Sequence, residues 1–142
     1  MKTKLFLFAL VAIGFFGSFE NKPSNKEKTK GYILEHERDI RVQQPSPHEA
    51  PGITTAYPYF SKADSLKIVF RKRTLGKGAA IGYHYQKWDE IYYIVSGTGI
   101  MKVNDESFPV SAGDAVLTRP GNWHGLEPTG KDSLTVIINY NQ

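Results

Sequence analysis

Residues 78–97 read Gly-Ala-Ala-Ile-Gly-Tyr-His-Tyr-Gln-Lys-Trp-Asp-Glu-Ile-Tyr-Tyr-Ile-Val-Ser-Gly. Two β-like runs, Ala79–Gln86 and Glu90–Val95, flank the polar Lys87-Trp88-Asp89. Side chains alternate along a strand, so Ala80, Gly82, His84 and Gln86 share one face of the first run. Glu90, Tyr92 and Ile94 share a face of the second. Pairing about Lys87–Asp89 brings His84 or Gln86 close to Glu90, and the small residues at 80 and 82 leave room above that face.

The same texture extends in both directions. Leu66–Leu75, Ile100–Val103, Phe108–Val110, Ala115–Thr118, His124–Glu127 and Leu134–Tyr140 are short apolar runs. Turn sequences such as Gly76-Lys77-Gly78, Asn104-Asp105-Glu106, Pro120-Gly121 and Pro128-Thr129-Gly130 break them. Thr54–Phe60 reads as an edge strand, with Pro58 restricting its pairing. Only Tyr32–Arg41 is ambiguous between helix and strand. Seven or eight short strands at this spacing predict an all-β barrel or jelly roll.

Composition narrows the chemistry. The chain of 142 residues has the length of one domain, with 40% apolar and 23% charged residues. It has no cysteine, which excludes disulfides, Cys-ligated zinc, iron–sulfur clusters and thiolate catalysis. His36, His48, His84 and His124 are the four imidazoles. The net charge of +4 falls to +2 without the two leader lysines, Lys2 and Lys4, and the only dense basic run is Arg71-Lys72-Arg73. Nothing here calls for a nucleic acid.

The spacing Gly78-x5-His84-x-Gln86-x3-Glu90-x6-Gly97 resembles the first motif of the cupin superfamily, Gly-x5-His-x-His-x3,4-Glu-x6-Gly. Gly113-x5-Arg119-x-Gly121-x2-His124 resembles the second, Gly-x5-Pro-x-Gly-x2-His-x3-Asn. The likeness covers Leu66 to Tyr140 and is to small single-domain cupins, some of which are oxalate-binding proteins. It implies a single-domain cupin jelly roll whose interior holds a divalent metal. The implied ligands are His84, Glu90 and His124, with Gln86 where the family has histidine. Gln86 is then either a carbonyl ligand or a hydrogen-bonding neighbour of the ligands. Arg119 replaces the family's proline and Pro128 its asparagine. Two histidines and a carboxylate suit Fe(II), Mn(II), Ni(II) or Zn(II) with positions left open.

Two function classes follow. The first is a metal-dependent enzyme of dioxygenase, decarboxylase, lyase or isomerase type, acting on a small anionic or polyoxygenated molecule, with Glu90 and Tyr92 as catalytic candidates. The second is a non-catalytic module that binds a carboxylate or sugar through the metal. Arg71 and Arg73 read either as a solvated edge or, together, as a carboxylate clamp; Arg119 is a lesser candidate for the same role. Tyr83 and Tyr85 are expected to face away from the site, Trp88 and Trp123 to rim it or pack elsewhere, and His36 and His48 to lie on the surface. Residues 1–19 resemble a signal peptide, with Met1–Lys4 as its positive start and Leu5–Ile13 as its apolar run, either cleaved or kept as an anchor. Export to the periplasm or medium is the corresponding expectation, with membrane contact only through an uncut leader. A polar linker is expected over 20–31, before the domain at 32–142. The resemblance also implies a homodimer, in which Tyr57, Tyr59 and Phe60 would anchor an exchanged N-terminal segment.

Overall fold

The computed structural model describes residues 31–142; the leader and all of the linker except Gly31 lie outside the described residues. The described residues form one turn of helix, α1 (Glu37–Ile40), and ten strands: β1 (Val42–Pro45), β2 (Ile53–Tyr59), β3 (Ile68–Leu75), β4 (Ile81–Tyr85), β5 (Glu90–Ser96), β6 (Thr98–Val103), β7 (Glu106–Ser111), β8 (Ala115–Thr118), β9 (Trp123–Pro128) and β10 (Leu134–Asn141). One sheet has the order β1-β2-β3-β10-β5-β8 and the other β4-β9-β6-β7, with antiparallel pairing throughout. This is the all-β jelly roll expected from the strand spacing.

Alternation places the core. In the six-stranded sheet the inward rows run Leu75–Leu134, Arg73–Val136–Ile94 and Arg71–Ile138–Tyr92 across β3, β10 and β5. Met101, Val110, Leu126 and Ile81 meet them from the second sheet. One end of the interior is therefore closed by aliphatic packing, while Arg71, Glu90 and the histidines gather at the other.

Three local features differ from the sequence reading. The ambiguous stretch supplies only α1, followed by a strand, β1, that its Gln- and Pro-rich composition concealed. That strand makes β2 an inner strand rather than an edge, yet it covers only Ile53–Ala56. Pro58, which has no N–H to donate, falls where β1 has ended. In this structure β2 pairs with β3 of its own chain.

The third difference is in β4. The register with β9 slips between Ile81 and His84, so strict alternation fails there. Ile81 joins the core, and Gly82 sits under the β1–β2 loop, where its N–H donates to Pro47 O at 3.2 Å. Gly82 and His84 thus do not bound one open space, as simple alternation predicted.

α1 is tied down by charge. Lys72 and Tyr59 both donate to the Glu37 carboxylate. Those two hydrogen bonds, Lys72's first, hold Glu37 below the ordinary carboxylate pKa. A depressed pKa stabilises the folded tie above the unfolded carboxylate pKa and loses that contribution as pH falls through the folded value. A carboxyl-carbon titration by NMR should therefore give Glu37 a midpoint below ordinary glutamate, and Lys72→Met should raise it part of the way back, since the Tyr59 hydrogen bond remains. Gly97 tests the β5–β6 corner. Its φ is +82°, and a Cβ there would lie 2.5 Å from Ser133 O, whereas one at Gly76 meets nothing within 4 Å. Gly97→Ala should lower stability by more than about 1 kcal/mol, and Gly76→Ala should change it by no more than about 0.5 kcal/mol. Thermal unfolding of the two variants checks this.

Candidate metal centre

His84 on β4 lies directly across from His124 on β9, while Glu90 on β5 lies across from Thr118 on β8. Each sheet thus contributes a cross-strand pair. The Gly121 turn, with φ of +89°, grips the connection between them: Gln86 N donates to Asn122 O at 2.8 Å and Gly121 N to Gln86 O at 2.9 Å. Clamping the backbone of Gln86 fixes where its side chain and Glu90 enter the interior.

The donor atoms converge. His124 Nε2 lies 2.8 Å from Glu90 Oε2 and 3.2 Å from His84 Nε2, and His84 Nε2 lies 3.9 Å from Glu90 Oε2. Donors about 2.1 Å from one ion stand roughly 3–3.4 Å apart at tetrahedral or octahedral angles. The His124–His84 edge falls in that range, the His124–Glu90 edge is slightly shorter, and the His84–Glu90 edge is about half an ångström longer, so a small shift of His84 or Glu90 brings all three onto one small cation. His124 is 0% exposed and Glu90 3%. Gln86, also buried, donates its amide N–H to Glu90 Oε2 and lies 3.4 Å from His124 Nε2. Rotating that amide by a half turn presents its carbonyl oxygen to the same point.

The outer hydrogen bonds select the ligating tautomer. His84 Nδ1 donates to Gly82 O at 2.8 Å; a carbonyl only accepts, so the Nε2 lone pair must face inward. His124 Nδ1 lies 2.7 Å from Thr118 Oγ1, and donation to that hydroxyl likewise frees its Nε2. Burial holds the His84 pKa below the ordinary histidine value, repulsion from His124 adds to this, and the Gly82 hydrogen bond and Glu90 oppose it. Electron-rich nitrogen atoms thus face a buried carboxylate, a donor set that suits a divalent cation.

A cavity of about 220 Å³ opens beside these atoms, with Arg71, Arg73, Tyr92, Trp88, Ile138 and Tyr140 in its wall. Tyr92 packs against His124 at 4.9 Å between ring centroids. Burial raises its phenol pKa well above normal, and the Glu90 charge adds to this, so it stays protonated at neutral pH. Arg73 is only 2% exposed, which overturns the solvated-edge reading of β3. The reason is the β1–β2 hairpin. Thr54 Oγ1 accepts from Arg73 Nη1, and the Gln44 amide oxygen, turned inward, accepts from Nη1 and Nη2 at 2.9 and 2.6 Å. Arg71 Nη2 donates to Tyr140 Oη at 3.0 Å. Both Nε atoms are buried without a partner, and among the described residues no carboxylate pairs with either guanidinium. Arg119, by contrast, is exposed and paired with Asp89 at 3.2 Å.

His48 is exposed, as expected, but it also reaches the site. It stacks on His84 with centroids 3.5 Å apart and planes 5° from parallel. Desolvation, followed by the neighbouring charges of His84 and His124, pulls its pKa down to about 4. Trp88 lies at the cavity wall, while Trp123 turns outward and stacks with Tyr83 at 5.6 Å, beside an exposed Tyr85.

A family model described as the cupin domain matches residues 72–140, which contain His84, Gln86, Glu90 and His124. The barrel has the cupin fold. An oxalate-binding protein of Thermotoga maritima is 36% identical over 70 residues, covering 49% of this chain and 58% of that protein. An uncharacterized protein of Methanocaldococcus jannaschii is 33% identical over 63 residues, covering 44% and 50%. The chain thus spans little more than half the length of these curated relatives. The crystal structure of a predicted oxalate decarboxylase from Thermotoga maritima superposes with a TM-score of 0.70 at 26% identity, covering 77% of this chain and 98% of that one. Thr118, which the sequence reading did not single out, joins the site because it stands opposite Glu90 across β5 and β8. Thr118→Val keeps the shape of the side chain and removes the partner of His124 Nδ1. It should weaken Mn(II) or Co(II) affinity about 10- to 100-fold, as measured by competitive metal titration.

Proposed function

We propose that this cupin binds a small carboxylate anion, anchored by a divalent transition metal on His84, Gln86, Glu90 and His124 and oriented by Arg71 and Arg73. The observation that carries this reading is the meeting, in one small cavity, of a metal-donor cluster and two guanidinium groups without acidic partners. Whether the metal is Fe, Mn, Ni or Zn, it would supply a Lewis-acidic anchor for an anionic oxygen. The chain's own groups would do the rest. A guanidinium fork matches the geometry of a carboxylate, and burial makes an anion the natural complement of Arg73. The Tyr92 phenol offers a hydrogen bond or a proton. Ile81 and Ile138 keep that side of the cavity dry. The cavity has roughly the volume of seven waters, which favours an anion of oxalate's size. The names of the Thermotoga maritima relatives support the same class.

Turnover of that anion is the second reading, favoured by the protonated Tyr92 and the buried Glu90 beside the anion site. Calorimetry of the full-length chain with oxalate, malonate and acetate, with Mn(II) and then with EDTA, tests both. The expected result is oxalate binding that needs metal and weakens at least about tenfold in Arg73→Gln and Arg71→Gln. Absence of metal uptake, or binding indifferent to EDTA and to both variants, would overturn the proposal. Release of formate and carbon dioxide from oxalate, abolished by Glu90→Gln, would make it an enzyme.

A further inference from the structure

We infer that His48 is a positioning residue of the metal centre: the loop Ser46–Gly52 lays its ring on the His84 imidazole and fixes the plane of that ligand. This rests on the metal reading proposed above. Of the three donor side chains, His84 is the most exposed, at 15% against 4% for Glu90 and 0% for His124. It lies nearest the open end of the barrel, and the His48 ring packs flat against it. Its Nδ1 hydrogen-bonds to Gly82 O, two residues back, in the bulge of β4.

The same loop also holds that bulge. Gly82 N donates to Pro47 O, and Ser46 Oγ accepts from Ala80 N at 3.3 Å. A Cβ at Gly82 would lie 2.1 Å from His48 O, so only glycine admits the loop this closely. Ser46 N donates to Gly52 O at 3.0 Å, closing the loop on itself. His48 and Glu49 both have left-handed backbones, with φ of 55° and 60°. Such a conformation is costly for residues with side chains and persists where the surroundings impose it. The strain delivers the His48 ring to His84.

The stacking geometry fits a ligand. Neutral aromatic rings prefer offset or edge-on contacts to face-on ones. An imidazole that has given its Nε2 lone pair to a cation is electron-poor and accepts a neutral ring face to face. His48 thereby supplies, by contact, rigidity that Gln86 cannot supply, since its amide hangs on one more rotatable bond than an imidazole.

The test uses the full-length chain, uniformly labelled at histidine with nitrogen-15, and its His48→Ala and His48→Phe variants. Co(II) affinity and the visible Co(II) spectrum report the loaded site, and long-range proton–nitrogen spectra in EDTA report the His84 tautomer without metal. His48→Ala should weaken Co(II) binding about tenfold or more and leave His84 exchanging between tautomers. His48→Phe, which keeps a flat ring, should restore both readouts. Thermal unfolding in EDTA should give both variants the wild-type midpoint. Wild-type behaviour of His48→Ala in both readouts would overturn the inference. So would a Phe variant as defective as the Ala variant. If the wild type takes up no Co(II), the metal reading falls, and the metal-free His84 spectrum decides separately whether His48 fixes the ring.

Discussion

The carboxylate of Glu90 is the constraint around which the interior is organised. A charged group taken out of water costs several kcal/mol unless something replaces its hydration. Here the replacements are one amide N–H from Gln86, the Nε2 of a fully buried histidine and a second imidazole just beyond. Two nearby imidazoles with their lone pairs inward do not neutralise an anion. The arrangement balances when a cation sits among the three. The strands that carry these groups also carry the aliphatic core a few residues further along, so one set of alternating faces supports both the packing and the chemistry.

Much of this was legible in the sequence because it depends on period and spacing. Alternation in Glu90–Val95 put Glu90, Tyr92 and Ile94 on one face, and all three are buried inward. The two glycine-bounded motifs placed His84 and His124 in one site, and their cross-strand pairing accounts for it. Alternation in β3 also gave Arg71 and Arg73 a common side, but not whether that side was wet. Only the hairpin folding over β3 decides that, through Gln44 and Thr54.

What the sequence hid is equally physical. The bulge in β4 moves Ile81 into the core and turns Gly82 toward the loop, and no residue type within Gly82-Tyr83-His84 announces a register slip. His48 lies thirty-six positions before the ligand it touches, in a Pro-rich stretch that reads as surface. A residue with a left-handed backbone leaves no mark when it is neither glycine nor asparagine.

The β1–β2 hairpin therefore behaves as a cassette laid over a generic barrel. It brings Gln44 and Thr54 to Arg73 and His48 to His84, while contributing little to the apolar cluster. The span recognised as a cupin domain begins at Lys72, downstream of Gln44, His48, Thr54 and Arg71. Exchanging this one hairpin would thus change what Arg73 and His84 pack against while leaving the motif core as it is. A comparison confined to the motif core passes over the residues that hold Arg73 and His84 in place.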